Sequence, residues 1–177
     1  MNILKITKKD LDSNNNYKKG FIGKWNEKED VSVEIEENLG TVIFEKGIYV
    51  DGSIKASAGS GISAGEGISA GWGISAGKGI SAGKGISAGK GISAGWGIYA
   101  LFGSIKAKLK IKIDSRCRIV AGIFSYDGAQ EVEAQEIEGE IAYGIKKLLP
   151  KKEQAVTPVA KIDEIINING KNYKRID

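Results

Sequence analysis

Few side chains of this chain are of the types that catalyse reactions. None of its 177 residues is histidine, which excludes a Ser-His-Asp or Cys-His arrangement. The one cysteine, Cys117, has no partner for an internal disulfide, and we interpret it as a packed small residue. Glutamates between residues 131 and 140 offer carboxylate pairs, but acidic residues that dense on a strand are typical of a solvated face. We therefore expect that the protein is not an enzyme.

Metal and cofactor motifs are also missing from the sequence. Zinc ligands are lacking, and the repeated stretch of the chain has no ladder of aspartates like that of calcium-binding β-rolls. Gly83-Lys84-Gly85 does not belong to a phosphate-binding loop, because the Gly-x-x-x-x-Gly-Lys-Ser/Thr string is absent. The sequence predicts neither a metal nor a cofactor, which leaves the surface as the functional part.

The surface is organised by a six-residue repeat between Gly61 and Phe102. The unit Gly-Ile-Ser-Ala-Gly-x recurs seven times with almost no drift, the last copy reading Gly-Ile-Tyr-Ala-Leu-Phe, and only its sixth position varies freely. The isoleucines stand at positions 62, 68, 74, 80, 86, 92 and 98. A short fixed period is typical of a solenoid, because each unit is too small to bury its apolar side alone and must stack on its neighbours.

Each hexad combines a short strand with a corner. Alternation along Ile-Ser-Ala places isoleucine and alanine inside and serine outside. The following Gly-x-Gly supplies residues that tolerate positive φ, so we expect the chain to turn there with the x side chain projecting outward. A helix is excluded because two glycines in each hexad would cost about 2 kcal/mol relative to alanine. Collagen is excluded because glycine does not occupy every third position.

The flanks of the repeat extend the same architecture. Short alternating runs in residues 1–50 predict an irregular β cap, and residues 51–149 form the solenoid with charged C-terminal coils. The pentapeptide Gly-Ser-Ile-Lys-Ala brackets the repeat on both sides. Ala142 to Leu149 is consistent with a short amphipathic helix that ends at Pro150.

Residues 150–177 are interpreted as a charged linker followed by a β-hairpin. Asn169-Gly170 between two β-type runs is a strong signal for the hairpin turn. The predicted fold class is therefore all-β: a single-stranded β-helix, or solenoid, built on six-residue repeats, with irregular β caps and this C-terminal hairpin.

The variable corner positions predict a partner-binding surface. Aromatic and lysine side chains that project from glycine corners resemble the residues of protein interfaces. The candidates are Trp72, Lys78, Lys84, Lys90, Trp96 and Phe102. Alternatively, each tryptophan covers a glycine corner and shields the coil beneath. With three hexads per coil, Trp72 lies one layer from Lys90 and Lys78 one layer from Trp96; with two, Trp72, Lys84 and Trp96 align.

A basic strip after the repeat is a second candidate surface. It consists of Lys106, Lys108, Lys110, Lys112, Arg116 and Arg118, and it could bind a polyanion such as nucleic acid. Alternatively, it pairs with the glutamates of residues 131–140 across stacked coils. A third and weaker alternative is an ice- or carbohydrate-binding or purely structural solenoid that uses the serines from Ser63 to Ser93.

The hexads, closed by Gly-Ser-Ile-Lys-Ala-Lys and then by Arg118-Ile-Val-Ala-Gly, resemble a group of short β-solenoid proteins of bacteria, their phages and mobile elements. The resemblance covers roughly residues 47–145 and carries no catalytic residue. The chain differs from hexapeptide-repeat acyltransferases, which use a histidine base and a small residue where lysine or tryptophan stands here. Because phage accessory proteins of this size are often inhibitors of host defence, the resemblance implies an anti-CRISPR-like inhibitor that blocks a CRISPR effector or a similar macromolecule.

The expected partner is thus a host protein or ribonucleoprotein, with nucleic acid as the alternative. Self-association through the solenoid edges is a further option. The sequence contains no transmembrane run, and Met1 to Asp10 lacks the apolar core of a signal peptide, so we expect a cytoplasmic protein without a membrane partner. For a phage-encoded protein this means the host cytoplasm.

Overall fold

A computed structural model describes residues 2–24, 26–151, 165–168 and 171–174. It shows a parallel β-solenoid of about six coils, which confirms the fold class predicted from the repeat. Successive strands pass in turn to three sheets, which we name the first, second and third faces. The corners between them form the first edge (first to second face), the second edge (second to third) and the third edge (third back to first).

Nineteen of the strands, numbered in chain order, build the three faces. The first face contains β1 (Asn2–Ile6), β2 (Val31–Ile35), β5 (Ile54–Ala56), β8 (Ile74–Ala76), β11 (Gly91–Ala94), β14 (Lys110–Ile113) and β17 (Glu136–Glu138). The second contains β3 (Gly40–Phe44), β6 (Ser60–Ala64), β9 (Ile80–Ala82), β12 (Ile98–Ala100), β15 (Arg118–Ala121) and β18 (Glu140–Tyr143). The third contains β4 (Ile48–Val50), β7 (Ile68–Ala70), β10 (Ile86–Ala88), β13 (Ile105–Ala107), β16 (Glu131–Ala134) and β19 (Ile145–Leu148).

One coil takes three hexads. Ile62 pairs with Ile80, and Ile80 pairs with Ile98, so the repeat returns to the same face every eighteen residues. The next coil takes one residue more, because four residues, 101–104, separate Ala100 from Ile105 where the corners of the hexads have three. The three-hexad alternative is therefore the correct one.

The interior is a column of stacked isoleucines and alanines. All seven isoleucines of the hexads are at most 1% exposed, and the alanines two residues on are buried beside them. Burying each isoleucine contributes about 1.5–3 kcal/mol relative to leaving it in water. The ladder predicted from the sequence is thus the core that holds the coils in register.

The glycine corners differ from the prediction. We expected positive φ at these glycines, but none of the glycines in the Gly-x-Gly corners of the hexads has it. They are required by close approach instead: a Cβ on Gly71 would overlap the carbonyl oxygen of Asp51, and one on Gly89 would overlap that of Gly71. Stacked backbones therefore leave no room for a side chain at this position.

The N-terminal residues form an irregular first coil. β1 pairs with β2, while bridges from Asn16 and Ile22 extend the second and third faces. Lys8–Asp10 is a short 3-10 helix. The Tyr17 ring is buried against Phe44 with ring centroids 5.2 Å apart, so the start of the solenoid core is covered by this segment.

The helix predicted for Ala142 to Leu149 is wrong. These residues belong to β18 and β19, the last strands of the second and third faces. Gly139 and Gly144, with φ of +139° and +136°, make the two tight corners of this coil. Pairing of β19 with β16 satisfies the backbone hydrogen bonds of this segment and places Lys147 opposite Glu133. These interactions outweigh its local helical pattern.

The C-terminal tail contains an antiparallel pair, β20 (Ile165–Ile168) and β21 (Lys171–Lys174), as the hairpin prediction requires. The turn at 169–170 and the linker at 152–164 lie outside the described residues. Among the residues that are described, no helix is long and apolar enough to cross a membrane.

Candidate partner-binding surface

The solenoid distributes the predicted corner residues over three edges. They fall into pairs one coil apart: Lys78 with Trp96 on the first edge, Lys84 with Phe102 on the second, and Trp72 with Lys90 on the third. The backbone N–H of Lys90 donates to the Trp72 carbonyl at 2.9 Å, and that of Trp96 to the Lys78 carbonyl at 3.3 Å. The six residues therefore do not form one continuous surface.

Two of these pairs are cation–π contacts. The Lys90 Nζ lies 4.5 Å from the Trp72 ring centroid, and the Lys78 Nζ lies 5.4 Å from that of Trp96. These are the two neighbour relations expected for three hexads per coil, and such contacts contribute about 0.5–1 kcal/mol at exposed sites. Each tryptophan is thus held in place by a lysine of an adjacent coil.

The tryptophans remain open to solvent despite these contacts. Trp72 is 52% exposed and Trp96 is 58% exposed. The backbones beneath are in direct contact at the glycine corners, as at Gly71, and the interior is filled by isoleucine and alanine. More than half of each indole surface is therefore available to a partner.

The second edge is more apolar and its lysine is paired. The Phe102 ring packs against that of Phe124, with centroids 5.9 Å apart, and both rings are half exposed. Lys84 Nζ lies 3.7 Å from Glu66 Oε1. Sequence reasoning singled out Phe102 but overlooked Phe124, because only the coil register places the loop after β15 above this corner.

The serines that were considered as one flat row are also divided among the faces. Each face presents two of them on adjacent strands: Ser75 and Ser93 on the first, Ser63 and Ser81 on the second, Ser69 and Ser87 on the third. Within the hexads, each face therefore presents only two stacked serine hydroxyls. An ice- or carbohydrate-binding surface needs a longer regular array.

The basic strip wraps around one full coil, and four of its six residues pair with acidic residues of the next. Lys106 Nζ lies 2.9 Å from Glu131, Lys112 Nζ 3.5 Å from Glu138, and Arg118 Nη1 2.7 Å from Glu140. Lys110 contacts Glu136 and Glu138, and Arg116 contacts Asp114. Within the described residues only Lys108 of the strip has no carboxylate in ion-pair range. The charge-pairing interpretation is confirmed, while polyanion binding stays a prediction.

The ion pairs shift the titration of their members. Hydrogen bonds from Lys106 and Lys147 lower the pKa of Glu131, and the hydrogen bond from Lys110 lowers that of Glu138. The same bonds raise the pKa of Lys110. These side chains are all at least partly open to solvent, so each pair adds only modestly to the stacking of neighbouring coils.

The described residues contain one cysteine and no cluster of metal-ligating side chains. Cys117 is partly buried against the core, as expected of a packed small residue. No group of three histidine, cysteine, aspartate or glutamate side chains among the described residues could hold a metal ion.

Comparison of the chain with protein-family models, with curated proteins and with solved structures found no match. Function is therefore inferred from the geometry of these surfaces.

Proposed function

We propose that the protein is a non-enzymatic binding protein that holds a macromolecular partner through the tryptophan–lysine pairs of its first and third edges. One observation carries the proposal: Trp72 and Trp96 are each more than half exposed yet fixed over the glycine corners by a lysine of the adjacent coil. A pre-ordered aromatic side chain loses little conformational freedom on binding, which favours affinity.

The scaffold itself does not require tryptophan at these corners. The same position of other hexads holds Glu66 or Lys84, and the core beneath is unchanged. Tryptophan is among the residue types that most often dominate interface energetics. The two indoles are therefore interpreted as recognition residues rather than as structural covers.

The partner class follows from the resemblance of the hexads to solenoid proteins of phages and mobile elements. It favours a host-defence macromolecule, such as a CRISPR effector, that is blocked when the solenoid occupies its surface. The rigid stack supports this mode of action because its interface is largely formed before binding. The place of action would be the bacterial cytoplasm.

The test replaces Trp72 and Trp96 by alanine, separately and together. The wild-type protein captures its partner from bacterial lysate, mass spectrometry identifies it, and affinities of the variants are then measured with the purified partner. We expect each substitution to cost at least about 2 kcal/mol of binding, close to thirty-fold in Kd, with the melting temperature almost unchanged. Phe21→Ala is the matched control, because it removes a third cation–π contact, with Lys46, away from both edges.

Loss of stability in step with binding would instead identify the tryptophans as structural covers. The inhibitor proposal has its own measurement: the efficiency of phage infection or plasmid interference in cells that carry an active CRISPR system and express the protein. Expression of the wild-type chain should restore infection, and expression of the double variant should not. Unimpaired interference in the presence of wild-type protein argues against this partner class.

A further inference from the structure

The first face carries a groove between charged walls that the sequence did not reveal. It has a volume of about 420 Å³ and a floor formed by the outward sides of β8 and β11, where Ser75 and Ser93 project. Lys55 borders it on one side, and Lys110 and Lys112 on the other. Lysine side chains that stand above a floor of serine and glycine make this depression electropositive.

The strand register gives the first face an ordered sequence of charges. Seven outward residues occupy equivalent positions on adjacent strands: Lys5, Glu34, Lys55, Ser75, Ser93, Lys112 and Glu138. Along the solenoid axis the charge therefore runs positive, negative, positive, neutral, neutral, positive, negative. The positive region at the groove is thus bounded by a glutamate on each side.

Three lysines in or beside this groove form no ion pair with a described residue. Lys55 on its shoulder, Lys90 on the third edge and Lys78 on the first edge lie outside ion-pair distance of every carboxylate among the described residues. Lys90 directly precedes Gly91 of the groove wall, and Lys78 follows the strand that carries Ser75 by one glycine. Each of the two edge lysines also holds a tryptophan of the proposed binding surface.

This combination is confined to the first face. The serine pair of the second face is bordered by Ile43 and Tyr99, and the pair of the third face by Tyr49 and Lys106. Lys106 is engaged by Glu131. The first face is therefore the one that carries unpaired positive charge and is bounded on both sides by an edge with a tryptophan–lysine pair.

The geometry points to a short acidic polypeptide segment of the partner as the occupant of this groove. The inference rests on the proposed function, since it names the part of the partner that the two tryptophan–lysine pairs would flank. Three strand spacings separate Lys55 from Lys112, about 14 Å, which accommodates one α-helix of about 10–12 Å diameter or one extended segment.

The charge pattern favours a polypeptide over nucleic acid. A long polyanion that followed the solenoid axis would meet Glu34 on one side of the groove and Glu138 on the other. Nucleic-acid binders usually neutralise many phosphates, whereas here Lys110 and Lys112 are already paired with glutamates. A short acidic segment that crosses the face from one edge to the other would place a few carboxylates near the three unpaired lysines.

The test uses purified protein and two labelled probes, poly-L-glutamate and an oligothymidylate of equal charge, titrated at low salt and followed by fluorescence anisotropy. The variant Lys55→Gln/Lys90→Gln removes two groove charges. Lys46→Gln/Lys84→Gln is the control, because it removes two charges from the second edge. We expect the groove variant to weaken poly-L-glutamate binding about ten-fold and the control variant to change it less than about two-fold.

Equal weakening by the two variants would overturn the groove as the site, and so would a wild-type protein that does not bind poly-L-glutamate. Tighter binding of the oligothymidylate than of poly-L-glutamate would overturn the polypeptide assignment. Because the titration needs no natural partner, its failure is distinct from a failure of the Trp72 and Trp96 experiment, which measures binding of that partner.

Discussion

The two glycines of each corner experience different surroundings although the repeat makes them look alike. The glycine before the variable residue lies against a carbonyl oxygen of the preceding coil, as Gly89 does against Gly71. The glycine after it has more room at one corner: a Cβ on Gly73 would stand 3.4 Å from the Gly91 oxygen, an ordinary contact distance, whereas the equivalent Cβ on Gly79 would stand 3.2 Å from the Gly97 oxygen. The first position is therefore fixed by packing, while Gly73 at the second tolerates a methyl group.

This difference predicts opposite outcomes for two alanine substitutions. Gly89→Ala forces two stacked backbones apart and should destabilise the protein by about 1–3 kcal/mol, the usual cost of overpacking. Gly73→Ala should be neutral or slightly stabilising, because it only restricts the unfolded chain. Circular-dichroism melts of both variants measure this difference, and equal melting temperatures would show that the corner has room to relax.

At the scale of the strands, the three-residue Ile-Ser-Ala element has one inward and one outward surface. Ile80 is fully buried between Ile62 and Ile98, while Ser81 beside it is only partly buried and faces outward. These neighbouring positions on one strand share their backbone pairing and differ in the burial of the side chain. They are therefore a matched pair for substitution.

We expect Ile80→Asp to unfold the middle of the array, because it combines a lost apolar contact with a buried unpaired charge, together about 4 kcal/mol or more. Ser81→Asp introduces the same carboxylate on the outward side and should leave the melt nearly unchanged. The measurement is the circular-dichroism melt of each variant. Similar losses in both would contradict the inward assignment of the isoleucine ladder.

The periodic elements were predictable from sequence because one physical rule repeats without interruption. Isoleucine at every sixth residue determines which side of each strand is buried. Once the coil length is known, the contact between Trp72 and Lys90 follows from the repeat. The strand Ile145–Leu148 was not predictable, since its partner lies fourteen residues earlier at Glu131 and its local pattern fits a helix. The groove was hidden for the same reason: Lys55 and Lys112 become neighbours of one surface only through the stacking.

At the scale of the whole molecule, perturbed acidic groups lie at the two ends and not in the middle. Near the N-terminus, hydrogen bonds from Thr7 lower the pKa of Asp10, and the Asn16 side chain lowers that of Asp12. Near the C-terminal end, Lys106 and Lys110 have the same effect on Glu131 and Glu138. Between residues 60 and 100 the only acidic residue is Glu66.

This distribution predicts that acid loosens the ends before the centre. A carboxyl group with a lowered folded-state pKa contributes stability above its ordinary value, here 3.8 for aspartate and 4.5 for glutamate, and loses it as the pH falls through the folded-state value. Hydrogen exchange at pH 3 and pH 7, expressed as protection factors relative to the intrinsic amide rate at each pH, should therefore show lower protection in β14 to β19 at the lower pH, with strands β7 to β11 still protected. Glu138→Gln should reduce the pH effect in β14 and β17. Uniform loss of protection along the solenoid would contradict the prediction.

Because one coil takes three hexads, the number of hexads decides which face each later residue occupies. Adding or deleting three hexads lengthens or shortens the column and leaves every later residue on its own face, because equivalent positions recur every eighteen residues. A single hexad gained by slippage of the repetitive gene would instead rotate everything after it by one face. Lys112 would then leave the side that carries Lys55, and Trp96 would move to another edge. Copy number can therefore reassign the binding surface of such a protein in one mutational event, with the core sequence untouched.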